Sequence, residues 1–217
     1  MRRLILKMSV SVDGFVGGPN GEIDWVFKSL DVGASEWILD TLWQAGVHIM
    51  GSRTYQDMRA WWPTSAEAFA APMNQIPKVV FCRSGARGAS AASTTTALRD
   101  ATRVRAAGVA GVAGASSDVA GYIAEWAGST IASGELVEEI GRLKQQAGKD
   151  ILAHGGARFA RSLIQHGLID EYRLLVHPVA LGQGLPLFAA LQRPQDLRLV
   201  NSTAFGGGAV AQIYHPA

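Results

Sequence analysis

Short apolar runs alternate with helix-periodic segments along most of this chain, and glycines mark several of the places where one hands over to the other. Leu4-Ile-Leu-Lys-Met-Ser-Val-Ser-Val12 reads as a first strand that stops at the turn formers Asp13-Gly14. A mobile loop, Gly17-Gly-Pro-Asn-Gly21, follows. A helix is expected from Ser35, with Trp37, Ile38, Thr41, Leu42 and Ala45 on one face and Gly46 as its stop. Val47–Met50, Val79–Cys82, Ile151–Ala153 and Tyr172–Val176 read as short buried strands. A helix capped by Ser133 turns Leu136, Val137, Ile140 and Leu143 inward, and another runs from Gly156 to His166-Gly167 with Phe159, Leu163 and Ile164 inside. The last segment differs: Leu197 and Leu199, then Gly206-Gly-Gly208, then Val210, Gln212 and Tyr214 form an antiparallel hairpin. The expected fold is therefore α/β in three layers, with a mixed, mostly parallel central sheet, helices on both faces and a C-terminal antiparallel hairpin.

With 217 residues, 48% of them apolar, the chain is read as one domain over 1–217, large enough to bury roughly 70% of its unfolded surface. An Ala/Gly/Ser-rich stretch at about 85–125 breaks the alternation. Its helical candidates are Thr95–Ala107 and Ser117–Trp126, and its shortage of large apolar residues marks it as an insertion or a lid, not a second domain. The one cysteine, Cys82, allows no internal disulfide and reads as a packed thiol in a reducing, cytoplasmic compartment. Lys7, Ser9, Ser11 and Asp13 interrupt the N-terminal apolar run, and no stretch approaches the roughly 20 residues of a membrane span. A net charge of +2 without a basic block gives no reason to expect nucleic acid. The scattered histidines lack a zinc spacing, so no metal is expected.

Two corners carry the chemistry. In Gly51-Ser-Arg-Thr-Tyr55, directly after an expected strand, Gly51 lets a ligand approach the backbone, Ser52 and Thr54 offer hydroxyls, and Arg53 offers a guanidinium. The helix that starts there adds its unpaired first-turn amides. His154-Gly-Gly-Ala-Arg-Phe159 repeats the arrangement, with Gly155 and Gly156 at the turn and a helix from Ala157 aiming its positive end above the sheet. Open α/β sheets bind phosphate at such corners, so the chain reads as a nucleotide-cofactor enzyme. Taken alone, the first corner is equally an ordinary helix start. Arg83 and Ser84, ending a third strand, suit an extra phosphate such as the 2′-phosphate of NADP, although a solvated strand-end arginine reads the same way. His154 is more simply a strand-end histidine bonded to backbone than a cofactor contact.

The order of Ser11-Val-Asp-Gly14, Gly51-Ser-Arg-Thr-Tyr55, Trp62-Pro63, Phe81-Cys-Arg-Ser84, Gly155-Gly156 with Phe159, Gly167-Leu-Ile-Asp-Glu-Tyr172 and Pro178-Val-Ala-Leu-Gly182 resembles the dihydrofolate reductase-like superfamily. The closer resemblance is to its branch containing the C-terminal reductase domain of bifunctional riboflavin-biosynthesis enzymes. The resemblance implies an NADPH-dependent reductase, often a homodimer, that delivers hydride to a C=N or C=O group of a pterin, a pyrimidine or a related heterocycle. It also implies roles for individual residues: Gly51, Ser52, Arg53 and Thr54 at the cofactor phosphates, and Arg83 and Ser84 at the adenosine phosphate. Gly155, Gly156, Ala157, Arg158 and Phe159 would meet the pyrophosphate, and Val12 and Gly14 would flank the nicotinamide. Two departures stand out: Ser52 where relatives commonly carry arginine, and a longer segment between Arg83 and the helix containing Leu136.

Hydride transfer needs a proton source, and a carboxyl group with a raised pKa supplies one. Asp13, beside the expected nicotinamide, is the first candidate, with Glu36 and Asp40 competing and a plain turn carboxylate as the alternative. Trp25, Tyr55 and Trp62 are candidates for a wall against a flat substrate, although such aromatics also serve as core. The rival reading is a non-catalytic ligand- or nucleotide-binding module on the same fold.

Overall fold

A computed structural model describes residues 1–82, 96–106, 118–189 and 191–217. Arg83, Ser84 and much of the proposed insertion lie outside them. In chain order the elements are β1 (Leu4–Ser11), α1 (Val32–Trp43), β2 (Ala45–Gly51), α2 (Ser52–Trp61), α3 (Ala70–Gln75), β3 (Lys78–Phe81), α4 (Thr96–Ala106) and α5 (Val119–Ala127). They continue as β4 (Thr130–Ala132), α6 (Leu136–Gln145), β5 (Asp150–Ala153), α7 (Ala157–Gln165), β6 (Glu171–His177), β7 (Leu197–Ala204) and β8 (Val210–Pro216). A 3-10 turn, Asp24–Ser29, links β1 to α1.

The eight strands form one sheet in the order β4-β3-β2-β5-β1-β6-β8-β7. All pairings from β4 to β6 are parallel, and β8 joins β6 and β7 antiparallel, as the period-2 hairpin pattern predicts. Apolar side chains pack on both sides of the sheet. One cluster gathers Leu4, Leu6, Met8 and Val10 of β1 under Ile140 and Leu143 of α6 and Ala160, Leu163 and Ile164 of α7. The other sets Ile5, Met50, Leu152 and Leu175 against Ile38 and Leu42 of α1, Tyr55 of α2, Met73 of α3 and Trp126 of α5. Two buried faces explain why the parallel strands read as continuous apolar runs.

Several boundaries differ from the sequence reading, each for a local reason. α1 starts at Val32, not Ser35, because the Asp31 carboxylate accepts the Ala34 N–H at 2.8 Å and caps the helix three residues earlier. Ala45 and Gly46 belong to β2, which absorbs them through an irregularity in its pairing with β5. Ser133 caps nothing: α6 begins after Glu135, with no side-chain cap. β4 was not foreseen, since three residues give too short a pattern to read. The insertion also contributes to the core, because Trp126 of α5 is fully buried and donates its indole N–H to Asn74 Oδ1 at 2.7 Å.

Candidate active site

β2 and β5 are hydrogen-bonded neighbours, with Ile49 opposite Ala153, so the two corners at their C-terminal ends lie side by side. From there the chain leaves in opposite directions, β2 leading toward β3 and β5 leading across β1 to β6. α2 consequently packs on one face of the sheet and α7 on the other. A divergence of this kind opens a crevice above the strand ends.

The fit between the corners is close. Gly156 has φ +91°, and a Cβ there would lie 2.6 Å from Thr54 Oγ1. A Cβ on Gly51 would come within 3.3 Å of Phe159 Cβ, and the Phe159 ring lies against Phe81 with centroids 5.1 Å apart. Gly155 faces Met8, whose Sδ and Cε would each be 3.1 Å from an added Cβ. Gly51, Thr54, Gly155, Gly156 and Phe159 are thus brought together. Gly51 and Gly156 are the N-cap residues of α2 and α7, and neither helix has a side-chain cap, which leaves first-turn amides available to an outside acceptor. Ser52 and Arg53 occupy the first turn of α2, Ala157 and Arg158 that of α7, with both arginines exposed. Val12 lies just past β1 with 66% of its surface exposed, and Gly14 follows at φ +84°.

The substrate-side expectations fare differently. Asp13 lacks the surroundings of a proton donor: its carboxylate accepts the Ser11 hydroxyl at 2.5 Å and the Leu181 and Gly182 amides at 3.1 and 2.7 Å. The Ser11 hydrogen bond, followed by the Gly182 amide, lowers its pKa, so Asp13 stays ionised and ties the end of β1 to the loop after β6. Glu36 is exposed on α1. Asp40 lines a groove with Arg3, Trp43, Gln44, Lys149 and Asp150 at the opposite end of the sheet. Tyr55 is core, not a stacking wall, because its ring packs on Trp126 and its hydroxyl donates to the Trp126 carbonyl. Trp25 is buried with its indole N–H on the Glu22 carbonyl at 3.1 Å, and it meets His177 edge-on at 5.4 Å. Trp62 is half-buried, with no hydrogen-bond partner for its buried indole nitrogen.

Sequence reading treated Lys7 and Ser9 only as interruptions of an apolar run. Lys7 and Ser9 are half-buried on the face of β1 opposite Leu6, Met8 and Val10, where β1 is paired with β6. Around them lie three buried histidines. His177, 0% exposed, shares its Nδ1 with Ser29 Oγ at 2.8 Å, and His154, 6% exposed, meets the His48 ring at 4.5 Å. Burial lowers the Lys7 pKa to about 8 and that of His177 to about 4, the latter helped by the Lys7 charge. Burial likewise holds His48 at about 3, helped by Lys78, and puts His154 well below the ordinary range, helped by His48, Lys7 and Lys78. These imidazoles are neutral at physiological pH. No group of three His, Cys, Asp or Glu residues able to hold a metal occurs among the described residues, and no described helix is long and apolar enough to cross a membrane.

The chain is similar over 99% of its length to the uncharacterized protein YyaP of Bacillus subtilis strain 168, at 27% identity and 95% coverage of that protein. Its fold matches a crystal structure of a putative riboflavin biosynthesis protein from Shewanella sp. PV-4, with TM-score 0.62, 18% identity and coverage of 100% and 99% of the two chains. It also matches the dihydrofolate reductase of Enterococcus faecalis complexed with NADP(H) and RAB-propyl, with TM-score 0.52, 11% identity and coverage of 99% and 96%. The sheet, its hairpin and these likenesses agree with a dihydrofolate reductase-like fold. Residues 2–211 match the RibD C-terminal domain, and the chain belongs to that family.

Proposed function

We propose that this protein is an NADPH-dependent reductase that transfers hydride to a C=N or C=O group of a pterin, pyrimidine or related heterocyclic substrate, acting as a cytoplasmic homodimer. The observation that carries the reading is the adjacency of the Gly51 and Gly156 corners on neighbouring strands β2 and β5. One diphosphate can be reached by both uncapped helix starts, which the missing side chains of Gly51 and Gly156 let pack against each other through Phe159 and Thr54. Membership of the RibD C-terminal domain family and the shared fold with an NADP(H)-bound dihydrofolate reductase favour the same cofactor.

In this reading the amides and hydroxyls of Ser52 and Thr54 and the amides of Ala157 and Arg158 bind phosphate oxygens, with the Arg53 and Arg158 guanidinium groups above them. Arg83 and Ser84 take the adenosine phosphate. Phe159 supports the corner from the α7 side, and Val12 and Gly14 flank the nicotinamide. When bound, NADPH supplies the hydride; the chain orients it and excludes water. Asp13 serves by fixing the loop at Leu181 and Gly182, and Trp25 and Trp62 border the substrate space.

The test is a titration of the purified protein with NADPH and with NADH, followed by a screen of pterins, dihydrofolate and ribosylaminopyrimidines for loss of nicotinamide absorbance. Saturable NADPH binding, tighter than NADH, with oxidation by one of the heterocycles is the expected result. Absence of NADPH binding overturns the cofactor assignment, and binding without turnover across the panel favours the non-catalytic module.

A further inference from the structure

The two helices at the corners are anchored unequally. α7 buries Ala160, Leu163 and Ile164, whereas α2 has one buried residue, Tyr55. The other residues of α2 are half-buried or exposed, and Gly51 gives the helix no side-chain cap. A helix of 10 residues with so little apolar area in the core is weakly fixed by packing alone. Yet its first turn fits the neighbouring corner closely, since a Cβ on Gly156 would lie 2.6 Å from Thr54 Oγ1. Something besides apolar burial sets the place of α2.

What holds it is a buried polar pair, Asn74 of α3 and Trp126 of α5. Trp126 is fully buried and donates its indole N–H to Asn74 Oδ1 at 2.7 Å. Lys78 fastens both partners: its ammonium donates to the Asn74 carbonyl and lies 4.7 Å from the Trp126 ring centroid. The pair reaches α2 twice. The Trp126 carbonyl accepts the Tyr55 hydroxyl, and the Tyr55 and Trp126 rings pack with centroids 5.7 Å apart. Asn74 Nδ2 donates at 3.0 Å to the carbonyl of Trp62, the residue that caps the C-terminus of α2. The helix is thus gripped one residue after Thr54 and again at its far end. A buried hydrogen-bonded network of this kind fixes its members in one geometry. Half of the grip comes from the Ala/Gly/Ser-rich insertion, whose other helix, α4, also lies against α2.

We infer that Asn74 and Trp126 are the positioning residues of the cofactor corner: they hold α2 by Tyr55 and Trp62, and so decide where the amides and hydroxyls of Ser52 and Thr54 meet phosphate. Both act through α2. The inference rests on the NADPH reading for the identity of the ligand, but the grip on the corner does not depend on what binds there. It gives the insertion a task, setting the affinity of a site from its rear side. A small displacement is enough for that, because a misplacement of about 1 Å weakens a preorganised site steeply.

The Trp126 carbonyl supplies a matched pair of variants, because it accepts both the Tyr55 hydroxyl from α2 and, at 2.8 Å, the Ser129 hydroxyl from outside that helix. Tyr55→Phe and Ser129→Ala each remove one hydrogen bond and leave the carbonyl the other, so both should fold and melt about 2–4 °C below the wild-type protein. Only Tyr55→Phe loosens α2. Titrated with NADPH, it should bind about tenfold more weakly, and Ser129→Ala should bind as the wild-type protein does. In amide NMR spectra without cofactor, Tyr55→Phe should shift the Gly156 resonance on the other corner, and Ser129→Ala should leave it in place. Unchanged NADPH affinity in Tyr55→Phe, or an equal loss in Ser129→Ala, overturns the inference, and so does a Gly156 shift in both variants or in neither. If the wild-type protein fails to bind NADPH while the Gly156 shift is confined to Tyr55→Phe, the cofactor reading falls and the grip on the corner stands.

Discussion

Gly51 on β2 and Phe159 on α7 approach so closely that a methyl group on Gly51 would lie 3.3 Å from Phe159 Cβ, although the two residues come from corners about a hundred positions apart. Gly51 has φ −73°, a value open to any residue, so packing and not backbone freedom keeps it bare. A Gly51→Val variant is expected to push Phe159 off Phe81 and cost about 1–3 kcal/mol of stability, as overpacking does. The same shift moves the first turn of α7, so NADPH affinity should fall by about tenfold or more, a misplacement effect. Denaturant unfolding and a cofactor titration on one preparation check both numbers.

Gly156 is bare for two reasons at once, its φ of +91° and the Thr54 hydroxyl 2.6 Å from any added Cβ. Gly156→Ala should cost about 1–2 kcal/mol from the left-handed backbone alone, plus a contact term with Thr54. Thr54→Ala removes only the contact term. The double variant should therefore be more stable than the sum of the single effects by about 0.5 kcal/mol or more. Strict additivity would show that the two corners do not press on each other.

Asp13 holds the Leu181 and Gly182 amides with an ionised carboxylate. Its folded pKa lies below the unfolded one, so its stabilising effect is present above the ordinary aspartate range and fades as pH falls through the lowered value. Asp13→Asn should speed amide exchange at Leu181 and Gly182 while leaving the protected amides of β6 unchanged. Hydride transfer should persist in this variant, which an acid–base role for Asp13 would forbid.

His48 and His177 are held neutral, with folded pKa values of about 3 and 4, and His154 behaves alike. Below pH 6.5 the unfolded chain takes up protons that the folded chain refuses, so stability is lost as pH drops from about 6.5 toward 4. Replacing His177 by Asn, which can still bond Ser29, should flatten that decline. The check is the slope of unfolding free energy against pH, which must be shallower in the variant.

Arg83 lies outside the described residues, and its assignment to the adenosine phosphate is tested by kinetics. Arg83→Ala should weaken NADPH by about tenfold, typical of losing one charged hydrogen bond, and leave NADH nearly unchanged. Equal losses for both dinucleotides would remove Arg83 from that role.

The parallel strands and the hairpin were legible because they follow two strong signals, continuous apolar runs for β1, β2, β5 and β6 and period-2 alternation around Gly206–Gly208 for β7 and β8. The glycine corners were legible too, since glycine at a strand-to-helix turn has a specific steric meaning. Asp31 was missed as a cap because Val32 and Gly33 separate it from the first strongly periodic residues. Tyr55 was misjudged because its neighbour Trp126 comes from a segment whose composition gave no sign of a core residue. Asp13 owes its environment to amides 168 and 169 residues away. Lys7 and Ser9 were visible as polar residues in a strand, but which face they take follows from Leu6, Met8 and Val10 packing on the other.

The sheet order also dictates when the chain can fold. β1 precedes both its neighbours, β5 and β6, by a long stretch of chain: Leu4 pairs with Ile151, and Ile5 with Glu171. Until that far end has emerged from the ribosome, the central ribbon of the molecule has nothing to zip against. Closing so long a loop is slow, and a chain cut before Asp150 lacks β5, β6, β7 and β8 and with them both neighbours of β1.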